Sequence, residues 1–138
     1  MGADLFDAEE NIMALNERRL GSGTLTASVD DRGFLNSTSV TFHDANKHYL
    51  IGGYDGNDHW VVFSVPSSLV GEGPHVVNHY ADGLTWAVNI DGVNHVVASG
   101  TVTVTFDKHR ISVRGNFDFS LEDKRQVVGE FDITKQVA

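Results

Sequence analysis

Four side chains are the strongest candidates for ligand chemistry in this sequence: Tyr54, Trp60, Trp86 and His95. Tyrosine and tryptophan combine a large apolar ring with a polar tip, and they often line pockets or sugar-binding faces. Tyr54 and Trp60 flank a turn sequence, so an aromatic rim is expected there. For Trp86, packing in the core is the favoured alternative to a binding role.

A hairpin at Asp91-Gly92 would bring His95 close to Trp86. If these two residues form a type I′ turn, the register that follows pairs Val88 with His95. Trp86 and Val88 belong to an apolar face, so His95 would point inward beside them. An inward imidazole is either a hydrogen-bonded core residue or part of a pocket wall. In a pocket it could act as a general base near neutral pH.

The remaining polar motifs do not predict a metal site or a cofactor site. His75 and His79 would share one face of a strand, but at about 13 Å apart they could not hold one ion. The segment 55–58 lacks the ligand order of a calcium loop. The glycine-rich segment 52–56 precedes a strand and not a helix, so it does not predict a phosphate cradle. We expect no metal, no cofactor and no catalytic constellation.

The charge balance argues against nucleic-acid binding. Ten Lys and Arg stand against nineteen Asp and Glu, for a formal net charge of −9, and an acidic chain repels phosphate backbones. The chain has no cysteine, which excludes disulfides and thiolate chemistry. No apolar run is long enough to span a membrane, and the acidic N-terminus does not resemble a signal peptide. The compartment stays open between the cytoplasm and export with a trimmed signal.

The first residues of the chain predict a helix. Asp7 and Glu10 have the spacing of a capping box, and Gly21 supplies a left-handed stop. Apolar residues recur between them at helical spacing, at Ala8, Ile12 and Leu15. We predict a helix over residues 8–19, within an N-terminal segment 1–22 that packs on an edge or open end of the following domain. A partner-binding helix is the alternative.

From Gly23 onward the hydrophobic period changes to two, which is typical of strands with one dry and one wet face. The clearest example carries its apolar positions at Ile111, Val113, Gly115, Phe117, Phe119 and Leu121. Turn sequences separate ten such segments, which are 23–30, 34–44, 47–54, 58–65, 75–80, 84–90, 93–98, 100–107, 109–121 and 126–134. The pattern predicts an all-β antiparallel sandwich or flattened barrel of about eight to ten strands over residues 23–138.

Three segments carry a resemblance to a known group of proteins. Residues 100–107 read GTVTVTFD, residues 110–119 read RISVRGNFDF, and residues 129–133 read GEFDI. In these segments, and more loosely over 24–134 as a whole, the chain resembles a group of uncharacterised bacterial all-β domains, many of them predicted surface lipoproteins. The resemblance implies an all-β fold and no particular reaction. The lipoprotein cysteine and the signal of that group are not in this sequence.

These observations predict a non-enzymatic binding or interaction module. Its ligand would be a small apolar molecule, a glycan or a protein, contacted by the four candidate residues Tyr54, Trp60, Trp86 and His95. One alternative is a lyase or isomerase with His95 as general base. The other is a structural, self-assembling subunit, a homo-oligomer that hides its edge strands. A ligand-sized cavity lined by Trp86 and His95 would favour binding or catalysis over a purely structural role. A fully packed interior would exclude a ligand or substrate site inside the barrel.

Overall fold

The computed structural model describes residues 21–45, 47–55, 59–79 and 86–135. The predicted helix over 8–19 lies outside these ranges. Within them the chain forms ten strands: β1 (Ser22–Val29), β2 (Arg32–Ser37), β3 (Ser39–Asp44), β4 (His48–Tyr54), β5 (Trp60–Pro66), β6 (His75–Asn78), β7 (Ala87–Ile90), β8 (Val93–Phe106), β9 (Ser112–Leu121) and β10 (Gln126–Thr134). In this described part of the chain, no helix has the length and apolar character needed to cross a membrane.

The strands form one antiparallel sheet that curls into a nearly closed barrel. The order along the sheet is β2-β1-β10-β9-β8-β7-β5-β4-β3, and β6 pairs with the second half of β8. The two outermost strands, β2 and β3, follow each other through Thr38. The backbone N–H of Gly21 donates to the carbonyl oxygen of Val40 at 2.7 Å, which ties the start of β1 to β3. The all-β antiparallel prediction is confirmed.

The main differences between the predicted and observed strands are one merger and one division, and β6 and β9 are shorter than predicted. The segments predicted as 93–98 and 100–107 form the single strand β8, whose pairing with β9 shifts register between Val97 and Ser99. Such a bulge bends a strand without ending it. Conversely, the segment predicted as 34–44 divides at Thr38 into β2 and β3. There the Ser37 hydroxyl accepts the Ser39 N–H at 3.1 Å, which stabilises the bend.

Aromatic side chains fill the centre of the barrel. Phe63 has its ring centroid 5.4 Å from those of Phe117 and Phe131, and 5.8 Å from that of Phe119. Phe117 and Phe119 are 2% and 0% exposed, so the predicted alternation is confirmed from Val113 to Leu121. Ile111, predicted on the same apolar face, precedes β9 and is 39% exposed. Each such ring stabilises the fold by about 1.5–3 kcal/mol through removal of apolar surface from water.

Two inward-facing glycines allow neighbouring strands to approach closely. A Cβ atom at Gly115 would lie 1.8 Å from the carbonyl oxygen of Thr103, and one at Gly129 would lie 2.3 Å from that of Thr26. Glycine at such positions marks a close backbone approach or a sharp bend. The two residues therefore permit the curvature of β1, β10, β9 and β8.

The two ends of the barrel differ in composition. At one end lie residues 30–31, 55, 59, 91–92 and 122–125, which connect or flank strand ends and which we call the hairpin rim. At the other end the Arg110 guanidinium lies 4.0 Å from the ring centroid of Phe106 and donates to the carbonyl oxygen of Leu69 at 2.5 Å. Cation–π contact with a simultaneous hydrogen bond holds this cation over the core and closes that end.

Candidate functional site

The outer surface of the barrel has two regions of opposite chemistry. On β4, β5 and β7 the outward side chains include an apolar, buried cluster made of Leu50, Trp60, Val62 and Ala87. We call this region the apolar outer face. On β1, β8, β9 and β10 the outward side chains are mostly hydroxyls, amides and charged groups. Together with outward Asn36 of β2, these residues form the polar outer face.

Strand register aligns the polar outer face into transverse rows. In the central row, Thr26 lies opposite Glu130, Glu130 opposite Asn116, and Asn116 opposite Thr103. Asn36 of β2 extends this row, because it pairs with Thr26. Directly opposed residues have Cβ atoms about 4.5–5.5 Å apart. The row therefore places hydroxyl, carboxylate and amide groups side by side across five strands.

A second row runs parallel to the central one, towards the end of the barrel that Arg110 closes. Thr24 lies opposite Asp132, Asp132 opposite Arg114, and Arg114 opposite Thr105. The one cation of this row therefore stands next to a carboxylate, and a threonine lies at each end.

A third row lies on the side of the hairpin rim. Ser28 lies opposite Val128, Val128 opposite Asp118, and Asp118 opposite Thr101. Asp118 also accepts a hydrogen bond from the side-chain amide of Gln126. The three rows together hold three carboxylates and one guanidinium, so the face favours neutral or cationic ligands over anions.

Two adjoining hollows lie on the polar outer face. Their volumes are about 710 and 700 Å³, and both are open to solvent. Thr26, Asn116 and Glu130 line both hollows, so the two form one continuous depression along the sheet. Side-chain amides and hydroxyls can both donate and accept hydrogen bonds, and carboxylates accept them. The depression is therefore suited to a ligand rich in polar groups.

The predicted residues Tyr54 and Trp60 lie together on the apolar outer face. They are directly opposed in the pairing of β4 with β5. Trp60 is 5% exposed and belongs to the buried cluster of that face, and Tyr54 packs against the cluster. The structure therefore brings this pair together on the side of the sheet away from the core. Their role in ligand binding stays a prediction.

The predicted residue Trp86 points into the barrel. It is 1% exposed, and its ring centroid lies 5.2 Å from that of Phe119. Its indole nitrogen Nε1 donates to the carbonyl oxygen of Ser64 at 2.9 Å. Since the ring is packed and the polar tip is hydrogen-bonded, core packing accounts for this side chain in full.

His95 stands opposite Val88, as the Asp91-Gly92 hairpin predicted. Its Nε2 accepts a hydrogen bond from Arg125 Nη2 at 2.9 Å, and its Nδ1 lies 3.9 Å from Asp123 Oδ2. Burial and, secondarily, the charge of Arg125 lower the pKa of His95, and Asp123 opposes them. His95 thus takes part in a polar contact between β8 and the β9–β10 turn. A role as general base stays a prediction.

Sequence reasoning missed a second histidine with polar partners on the hairpin rim, His59. His59 Nδ1 lies 2.8 Å from Asp55 Oδ2, and His59 Nε2 lies 3.0 Å from Asp91 Oδ1. The hydrogen bond with Asp91 raises the pKa of His59, burial opposes it, and the hydrogen bond with Asp55 adds to the increase. The imidazole therefore links the end of β4 to the β7–β8 turn. Among the described residues no group of three or more potential ligands could hold a metal ion.

The residues of the central row were also missed, and their sequence signal is weak. Thr26, Asn116 and Glu130 each occupy the wet side of an alternating strand. A wet side is the usual solvent-facing surface of an antiparallel sheet, so alternation alone gives no reason to select it. Only the register across five strands brings these residues into one row.

Comparisons with family models, curated proteins and solved structures find no match for this chain. The resemblance to bacterial all-β domains therefore stays a prediction.

Proposed function

We propose that this domain is a non-enzymatic binding module whose polar outer face binds a neutral oligosaccharide. The observation that carries the proposal is the continuous depression lined by Thr26, Asn116 and Glu130. It combines hydrogen-bond donors and acceptors from several strands on one rigid sheet. Binding groups held on strands are positioned more accurately than groups held on loops.

The chemistry of the lining residues favours a saccharide over the other ligands considered. Each sugar hydroxyl both donates and accepts, and the threonine, asparagine and carboxylate groups of the face can satisfy both functions. A small apolar molecule would need an enclosed apolar pocket, whereas both hollows are open to solvent. The carboxylates Asp118, Glu130 and Asp132 outnumber the single cation Arg114, which disfavours sulfated or phosphorylated chains.

The proposed binding site lies away from the tryptophans that were predicted from the sequence to contact the ligand. Trp86 is a hydrogen-bonded core residue, and Trp60 is buried on the opposite side of the barrel. Recognition on the polar outer face would therefore rely on hydrogen bonds more than on ring stacking. Since each such bond replaces bonds to water, the net gain per contact is modest, about 0.5–1.5 kcal/mol. We expect a dissociation constant of about 0.1–1 mM.

Calorimetric titration of the full chain with neutral hexasaccharides tests the proposal. Cellohexaose, chitohexaose and mannohexaose are suitable probes, and dextran sulfate is the anionic control. We expect at least one neutral probe to bind and the anionic one not to bind. Glu130→Ala and Asn116→Ala should each weaken binding about three- to tenfold, whereas Glu122→Ala on the hairpin rim should change it less than twofold.

Three results would contradict the proposal. No measurable heat with any of the neutral probes would exclude this ligand class. Unchanged affinity in both Glu130→Ala and Asn116→Ala would place the site elsewhere on the molecule. Release of reducing ends from a bound probe, abolished by Glu130→Ala, would show an enzyme and not a binding module.

A further inference from the structure

The apolar outer face is a second cluster of buried apolar residues, separate from the one in the barrel interior. Leu50 and Val62 are each 1% exposed and Ala87 is 0% exposed. All three belong to a cluster separate from the interior one, because they occupy the alternate positions of their strands. Side chains that point away from the interior and are still buried must be covered from outside.

The described strands do not supply this cover. The partly buried apolar residues that pack against the cluster are Ala45 and Tyr54, which lie at its borders. The ten strands pair edge to edge within one sheet, and in the described ranges none of them lies over this face. None of the described strands therefore covers this face.

We infer that the apolar outer face is the docking site of this chain's own N-terminal segment, residues 1–20. This is the longest stretch outside the described residues, and each of the others holds six residues or fewer. Six residues are less than two helical turns, which is too little to cover the outward side of several strands.

The point where the segment joins the barrel supports this inference. The Gly21 N–H donates to the carbonyl oxygen of Val40 on β3. β3 is the outermost strand on the side of the sheet that carries the apolar outer face. Its outward Thr41 is 0% exposed, so the buried region reaches this strand as well. Gly21, which follows the N-terminal segment, therefore lies beside the apolar outer face.

The predicted helix also matches the face in size and pattern. Residues 8–19 would form a helix about 18 Å long. The strands β3, β4, β5 and β7 span about 14 Å at the usual inter-strand spacing. The apolar stripe Ala8, Ile12 and Leu15 would contact the sheet, and Glu10 and Glu17 would face water. This inference is independent of the proposed saccharide site, which lies on the other outer face.

Paramagnetic labelling of the full chain tests the inference directly. The chain has no cysteine, so Glu17→Cys gives a single spin-label site on the water-facing side of the helix. We expect strong broadening of the amide signals of Leu50 and Val62, and intact signals for Thr26 and Asn116. Unbroadened Leu50 and Val62 signals would overturn the inference. Broadening in a mixture of labelled chains with ¹⁵N-enriched unlabelled chains would show that a second copy is the occupant, and would overturn it as well.

A substitution in the apolar stripe provides an independent readout. With 5-fluorotryptophan in place of tryptophan, Ile12→Asp should move the Trp60 fluorine signal towards the solvent-exposed position and leave the Trp86 signal in place. Glu17→Gln is the matched control on the opposite side of the helix and should leave both signals unchanged. An unchanged Trp60 signal in Ile12→Asp would contradict the docking.

Discussion

The indole nitrogen of Trp86 donates a hydrogen bond to the carbonyl oxygen of Ser64, 2.9 Å away, from inside the barrel. β5 pairs with β7 over residues 60–62, so Ser64 lies beyond the end of this pairing. Trp86 therefore supplies a side-chain donor to β5 where β7 does not extend. This contact accounts for a tryptophan at the inward position immediately before β7.

Trp86→Phe should lower the free energy of unfolding by about 2–4 kcal/mol. The substitution leaves a buried carbonyl oxygen without this donor and opens a cavity in the aromatic core. Urea denaturation followed by circular dichroism measures the change. Val128→Thr, at an outward and exposed position, is the control and should change stability by less than about 0.5 kcal/mol. Equal stability of Trp86→Phe and the wild type would mean that Trp86 is not a core residue.

Gly129→Ala should prevent folding or cost more than about 3 kcal/mol. Its Cβ atom would lie 2.3 Å both from the carbonyl oxygen of Thr26 and from the ring of Phe117, so two strands must separate. Gly33→Ala is the matched control, because a Cβ there meets no atom within 4 Å. Thermal unfolding of the two variants compares them. A stable, unchanged Gly129→Ala would contradict the close approach of β1 and β10.

The sequence predicts much of this fold because local signals agree with one another. The Asp91-Gly92 turn gave the correct pairing of Val88 with His95, and alternation gave the correct inward residues of β9, including Phe117. Both features depend on a few neighbouring residues. The bulge between Val97 and Ser99 was not predicted, since it follows from the curvature of the whole sheet.

The candidate site was less accessible to sequence reasoning than the fold. The row Thr26, Glu130 and Asn116 combines residues separated by up to about a hundred positions in the chain, and only register aligns them. The selected aromatics Trp60 and Trp86 are buried, because a polar tip on a ring satisfies a core hydrogen bond as readily as a ligand contact. Residue type alone does not separate these two uses.

His59 should stabilise the fold more at low pH than at high pH. Its pKa in the folded state is raised above 6.5, chiefly by the hydrogen bond with Asp91. A raised pKa gives stability that is complete below the unfolded pKa and is lost as the pH rises through the folded pKa. The free energy of unfolding of the wild type minus that of His59→Gln should therefore fall as the pH rises from below 6.5 through the folded pKa of His59. A difference that rises with pH would contradict the contacts of His59 with Asp55 and Asp91.

His95 should show the opposite dependence on pH. Burial, with help from Arg125, holds its folded pKa below 6.5. Its titration therefore destabilises the fold as the pH falls from the unfolded pKa through the folded pKa. In an NMR titration of the imidazole signals, Arg125→Gln should raise the pKa of His95 and leave that of His59 unchanged. A lower His95 pKa in this variant would rule out the proposed effect of Arg125.

Shift mapping of the ¹⁵N-labelled chain with a neutral hexasaccharide that binds in calorimetry would locate the saccharide on the barrel. We expect saturable shifts at Thr26, Thr103, Asn116 and Glu130, the central row of the polar outer face, and unshifted signals at Leu50 and Val62 on the apolar outer face. Saturable shifts confined to His59 and His95 near the hairpin rim, or to the apolar outer face, would contradict a saccharide site on the polar outer face.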